Sequence, residues 1–286
     1  MPYIFVGGAE RTGTTLMQLL LCQGAGTNPF VREANYFRRL VEAYAEARTL
    51  AYTWDYFDSV DDLRQYHAAL TRQFLERTRA RFPGTVHLVL KEPTLTEQFP
   101  ALAELLGDDA RFVCMIRDPR DTIASLLKVG ERQVSTGLGE PVPRERLKDL
   151  CARYRSFYLP IFQTPDPHFP SRIIWVKYRD LVLTPEAIIS ALERHLGLDL
   201  SRARQAGPMD TGRVDFSSDF ERRSPWHSTL YGQPVTSERV GTYKTALTAS
   251  EVAIIEEDLK DIFEVFQFDR DADAPRAGDL SRSPAA

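Results

Sequence analysis

Four short runs of apolar, β-prone residues punctuate the chain: Tyr3–Val6, Val86–Leu90, Arg111–Ile116 and Arg172–Val176. Each predicts a strand, and the first reads as a buried one. Between them the spacing of apolar positions changes to that of helices, over Leu16–Cys22, 38–50, 61–82, Glu97–Leu106, Pro119–Val129, 144–162, 184–196 and 248–265. Asp118 before Pro119 supplies a cap and a favoured first helical residue. Residues 130–143, rich in Gly, Pro, Ser and Thr, predict a loop over a site. The stretch 205–245 is polar, and the tail from Asp269, rich in Ala, Asp, Arg and Pro, predicts disorder. Strands alternating with helices, without internal repeats, predict an α/β protein: a doubly wound parallel sheet in a single domain, 1–268, followed by a tail, 269–286.

The composition fits a folded chain, with 43% hydrophobic and 27% charged residues among 286. Lys plus Arg total 36 against 40 Asp plus Glu. That balance argues against a general nucleic-acid or anionic-membrane binder, while leaving room for a local basic cleft. No stretch approaches the ~18 apolar residues of a membrane span. The opening Met1–Gly8 lacks a basic leader, so it reads as a buried strand and not a signal peptide. Cys22, Cys114 and Cys151 lack paired or metal-binding spacing and read as reduced core residues. Together these predict a cytoplasmic protein.

Chemistry concentrates at two strand ends. After the first strand comes Gly8-x-x-x-x-Gly13-Thr14-Thr15, similar to the loop that cradles nucleotide phosphates but with Thr14 where the triphosphate version carries Lys. Its glycines let backbone N–H groups converge on an anion, helped by the helix N-terminus, the hydroxyls of Thr12, Thr14 and Thr15, and the cation of Arg11. The same loop could also be a tightly packed turn. After the third strand, Arg117 leaves the sheet where doubly wound folds bind ligands. Ser125, two helical turns on, can return to the same side, a pairing that suits a terminal phosphate. Arg117 and Asp121 could instead form an ordinary cap-region ion pair.

Together the two segments resemble the PAPS-dependent sulfotransferases. The 5′-phosphosulfate loop of that family is matched by Arg11-Thr12-Gly13-Thr14-Thr15-Leu16, and its 3′-phosphate motif by Arg117 and Ser125. Lys91-Glu92-Pro93 after the second strand is similar to the tyrosylprotein sulfotransferases and their bacterial relatives. Val176-Lys177-Tyr178-Arg179-Asp180-Leu181 resembles another family segment, with Arg179 replacing the usual acid, and Ser237–Lys244 resembles a late stretch that covers the nucleotide. The resemblance implies a P-loop-like α/β fold that moves a sulfuryl group from PAPS to a hydroxyl acceptor and releases PAP, without a metal.

It further implies that Arg11 and Lys91 neutralise developing charge and that Glu33 is the general base, with Glu92 and His227 as rivals. Arg117, Ser125, Tyr178, Ser237, Arg239 and Lys244 join the loop residues Thr12, Gly13, Thr14 and Thr15 in holding the nucleotide, and Arg120 repeats a family position. Two other readings stay open: a P-loop kinase-like phosphotransferase, which Thr14 disfavours, and a PAP-binding module without chemistry. The acceptor stays open among a small molecule, a sugar and a peptide. Arg32, Arg38, Arg39, Arg222 and Arg223 are candidates for recognising an acidic peptide, and the oligomeric state is unread.

Overall fold

The computed structural model describes residues 3–137, 143–205, 209–228, 230–231 and 233–270. Four parallel strands, β1 (Tyr3–Gly7), β2 (Leu88–Lys91), β3 (Ala110–Ile116) and β4 (Ile173–Lys177), form one sheet in the order β2-β1-β3-β4. Alternate strand residues feed opposite cores. Tyr3, Phe5, Leu88, Leu90, Phe112 and Cys114 pack into one, while Ile4, Val6, Val89, Val113, Met115 and Val176 pack into the other. Both faces are therefore dry, which is why the strands read as continuous apolar runs.

Among the described residues, nine α-helices precede the polar late segment: α1 (Thr14–Leu21), α2 (Asn35–Ala47), α3 (Val60–Arg79), α4 (Phe99–Leu106), α5 (Pro119–Thr136), α6 (Leu147–Ser156), α7 (Leu159–Gln163), α8 (Tyr178–Leu183) and α9 (Pro185–Leu196). Helices α1, α8 and α9 cover one face of the sheet, through side chains such as Met17, Leu181 and Leu192. Helices α2 to α7 cover the other, joined by Ala249–Asp258 and Lys260–Phe266.

Several boundaries differ from the sequence expectation. Helix α5 does not stop at Val129 but continues to Thr136, where Gly137 ends it in a left-handed turn. Residues 130–136 are thus helical and not loop, and 138–142 lie outside the described residues. Gly and Pro crowd the second half of that expected loop, and they masked the helical first half. The helix expected over 144–162 is divided at Phe157 and Tyr158, and the last helix breaks at Leu259. The expected tail lies outside the described residues apart from Asp269 and Arg270. Among the described residues no helix is long and apolar enough to cross a membrane. All four strands point their C-terminal ends, at Gly7, Lys91, Ile116 and Lys177, to one edge, and the candidate residues gather there.

Candidate active site

The loop after β1 is built from inside. The Thr12 side chain is fully buried and donates its hydroxyl to the Ala9 carbonyl at 2.7 Å. The Gly8 N–H donates to Thr96 Oγ1 at 2.6 Å, and the Ala9 N–H to the Tyr158 hydroxyl at 3.0 Å. Thr12, expected to face the ligand, therefore spends its hydroxyl on holding the loop. Gly13 has φ = 96°, and a Cβ there would sit 2.7 Å from the Tyr178 ring, so only glycine allows this close approach. Helix α1 begins at the next residue. Among the described residues, the amides of Gly13, Thr14, Thr15 and Leu16 find no protein acceptor. They are the unsatisfied donors of a helix N-terminus and face the cleft with its partial positive charge.

That cleft has a volume of about 980 Å³. Arg11 reaches across it: its Nε donates to Ser125 Oγ at 3.1 Å and its Nη1 to the Trp226 carbonyl at 2.8 Å. The loop after β1 and the helix after β3 thus meet through one guanidinium. Arg117 lies beneath, only 7% exposed. It donates to the Arg11 carbonyl at 3.0 Å and to the Arg239 carbonyl, and its guanidinium lies 4.8 Å from the Tyr178 ring centre. Its Nε is buried without a protein acceptor. Burial pulls the Arg117 pKa below the ordinary guanidinium value, opposed by Asp121 at 3.7 Å. A guanidinium nonetheless stays charged at any physiological pH.

Asp121 does more than pair with Arg117. Its buried carboxylate accepts the N–H groups of Gly241 and Tyr243 at 2.8 and 2.9 Å, and the Thr242 hydroxyl at 3.2 Å. The late segment is docked on α5 by these bonds. Arg132, three turns further along α5, donates to the His227 carbonyl at 2.8 Å. Burial and the nearby Arg11 lower its pKa.

Also in the cleft wall, the Lys91 ammonium meets Glu33 Oε1 at 2.7 Å. The Lys91 side chain is 4% exposed and that of Glu33 is 45% exposed. The segment bearing Glu33 is fixed to the end of β2. Asn28 exchanges hydrogen bonds with the Val89 backbone, the Gln18 amide donates to the Val31 carbonyl, and the Ala34 N–H donates to the Lys91 carbonyl. Glu92, the rival base, also lines the cleft. It caps the 3-10 turn Pro93–Gln98 by accepting the Leu95 N–H at 2.6 Å and the Thr94 hydroxyl, and burial raises its pKa. His227 lines the cleft, with Nδ1 buried and unpartnered and a pKa lowered by burial and by Arg132.

Of the residues expected to act in catalysis or to hold the nucleotide, Arg11, Gly13, Thr14, Thr15, Glu33, Lys91, Arg117, Ser125, Tyr178 and Arg239 line this cleft, as do the rival bases Glu92 and His227. Three do not. Thr12 is turned inward, as described. Ser237 is absent from the cleft wall, and Lys244 borders a separate depression with Leu247, Val252 and Glu256. The turn at Gly241 rotates the short helix Tyr243–Ala246 away from the cleft and takes Lys244 with it. Arg120 is buried against Asp118 and Glu256, with Tyr243 stacked on it at 4.2 Å, and serves the fold. Sequence reading missed Lys128 and Arg132, which share a helical face with Ser125. Their spacing was visible, but it falls within or beside a segment read as a loop. Among the described residues, no group of three or more His, Cys, Asp or Glu has metal-holding geometry.

Over 236 residues the chain is 25% identical to protein-tyrosine sulfotransferase 1 of Danio rerio, covering 77% of this chain. Over 211 residues it is 26% identical to protein-tyrosine sulfotransferase 2 of Gallus gallus, covering 70%. The chain spans 62% and 52% of the lengths of those relatives. In fold it is similar to the sulfotransferase domain of the Synechococcus PCC 7002 olefin synthase, with a TM-score of 0.58 at 15% identity, covering 94% of this chain and 95% of that one. Residues 2–202 match the sequence profile of the sulfotransferase family, and the chain belongs to that family.

Proposed function

We propose that this chain transfers a sulfuryl group from PAPS to a hydroxyl acceptor and releases PAP. The observation that carries the reading is the convergence of two anion cradles, joined by the Arg11–Ser125 bond, beside the Lys91–Glu33 pair. The residues present fit such a nucleotide: four free amides, an unpartnered buried Arg117 Nε, and further cations around one cleft. Gly13, Thr14, Thr15 and Arg11 would hold the 5′-phosphosulfate end. Arg117, Ser125 and Arg239 would hold the 3′-phosphate, and Tyr178 the nucleoside.

When bound, PAPS supplies a sulfuryl group whose S–O bond to the 5′-phosphate breaks as the acceptor oxygen forms the new S–O bond. Glu33 accepts the acceptor's proton at its carboxylate, which the structure holds half-exposed and within reach of a ligand in the cleft. Lys91 and Arg11 stabilise charge gathering at the departing phosphate oxygen. Lys91 ends β2 and Arg11 sits in the hydrogen-bonded loop after β1, so their positions are preset and little reorganisation accompanies the transfer. A reducing, cytoplasmic setting belongs to the same proposal, supported by the free thiols of Cys22, Cys114 and Cys151.

The test is incubation with sulfur-labelled PAPS and a fractionated cell extract. Label in a discrete acceptor, dependent on the chain and lost in Arg11→Ala, is the expected result. Magnesium-dependent phosphate transfer from ATP, without sulfate transfer, would overturn the reading in favour of a kinase-like activity.

A further inference from the structure

Asp121 lies in the first turn of α5, four residues after Arg117 and four before Ser125, between the two residues assigned to the 3′-phosphate. It is 3% exposed. A buried carboxylate at that place repels an arriving phosphate, and the repulsion is strongest where water is scarce. Its charge therefore opposes binding unless it organises the groups that attract the anion.

The contacts of Asp121 are those of an organiser. Oδ2 accepts the Gly241 N–H at 2.8 Å and lies 3.7 Å from Arg117 Nη2. Oδ1 accepts the Tyr243 N–H at 2.9 Å and the Thr242 hydroxyl at 3.2 Å. Arg117 grips the same turn from its other end, donating through Nη2 to the Arg239 carbonyl. A guanidinium and a carboxylate four residues apart thus hold the two ends of the turn 239–243, which bends through Gly241 at φ = 73°. Arg117 and Arg239 line the cleft and Asp121 does not. Arg117 Nη1 is spent on the Arg11 carbonyl and Nη2 on the Arg239 carbonyl, while Nε stays buried without a protein acceptor.

We infer that Asp121 is a positioning residue of the donor site, which fixes the Arg117 guanidinium and the turn bearing Arg239 where the 3′-phosphate is taken. This rests on the sulfuryl-transfer reading above and adds to it a residue that acts only through others. Two effects oppose each other in Asp121→Asn. Loss of the negative charge removes a repulsion and by itself tightens the binding of PAP. The amide, however, keeps one acceptor oxygen and turns an NH2 group toward a donor, so Gly241 or Tyr243 loses its acceptor and Arg117 its counter-charge. If Asp121 only neutralised its surroundings, the first effect would win; if it positions the turn, the second does.

The experiment titrates the parent chain, Asp121→Asn, Arg117→Met and the double variant with PAP and with AMP, which lacks the 3′-phosphate. Asp121→Asn should weaken PAP about tenfold and spare AMP. The KM for PAPS should rise by a similar factor, with a much smaller fall in kcat at saturating PAPS. In the double variant the two losses for PAP should fall well short of their product, because both act through one guanidinium. Equal losses for PAP and AMP, an unchanged or tighter PAP, or fully multiplicative losses would overturn the inference. A measurement on the parent chain alone covers the case of a variant that does not fold. PAP, but not AMP, should slow amide hydrogen exchange at Gly241 and Tyr243, and equal exchange with the two nucleotides would overturn the inference as well. A folded parent chain that binds no PAP would instead strike the donor reading itself.

Discussion

Replacing Arg117 with Met separates the two ends of the proposed nucleotide site. The Met side chain keeps an apolar stem against Tyr178 but removes a guanidinium that is almost wholly buried. In the fold, that guanidinium serves the carbonyls of Arg11 and Arg239, both on half-buried residues that water can reach, so unfolding should change by only about 1 kcal/mol. Asp121 loses a neighbour at 3.7 Å but keeps its three donors from the late segment. The effect on the ligand should be larger. A hydrogen bond to a charged group contributes about 1.5–3 kcal/mol, which corresponds to a roughly 10- to 150-fold weaker Kd for PAP. The assay is calorimetric titration of parent and variant with PAP and with AMP, which lacks the 3′-phosphate. The penalty should fall on PAP and largely spare AMP. Equal penalties for the two nucleotides, or an unchanged Kd for PAP, would refute the assignment of Arg117 to the 3′-phosphate.

Other consequences are as concrete. Lys91→Met should lower kcat by about 10²–10³-fold, as removal of one charge-stabilising donor does, with PAP binding retained, as read by single-turnover transfer and titration. Glu33→Gln should cost about 10²–10⁴-fold in kcat without changing PAP affinity, the size expected of a lost general base. Glu92→Gln should leave transfer nearly intact, since Glu92 caps a turn. It should also alter the pH dependence of stability. Because burial raises the folded-state pKa of Glu92, the stability it contributes is complete below the ordinary carboxylate range and is lost as pH rises through the raised value. The melting temperature of Glu92→Gln relative to the parent should therefore be higher at pH 7 than at pH 4.

The sheet and the two cradles were legible because local rules dictate them. Unbroken apolar runs mark strands buried on both sides, and a Gly-Thr-Thr step after such a run marks a helix N-terminus facing an anion. Arg117 follows from the same rule, being the residue at which a strand leaves the sheet, whereas Lys91 and Glu33 were singled out through the family resemblance. What escaped depends on long-range contacts. Thr12 looks like its neighbours Thr14 and Thr15, but the turn directs its hydroxyl to the Ala9 carbonyl. Asp121 could be seen as a partner for Arg117, yet its role in docking Gly241 and Tyr243 joins residues 120 and more positions apart. Lys244 matched a motif but fell on the far side of a turn. Phe30, Phe216 and Tyr231, whose rings touch in series along the cleft, are far apart in the chain, and no local pattern unites them.

The claim on which everything rests is that one cleft holds both charged ends of an adenosine 3′,5′-bisphosphate. Calorimetric titration of the parent chain with PAP, with ATP and magnesium as the comparison, tests it most directly. Saturable one-site binding of PAP, much tighter than that of ATP, is the predicted result. A folded chain that gives no heat with PAP, or that prefers ATP, would contradict it.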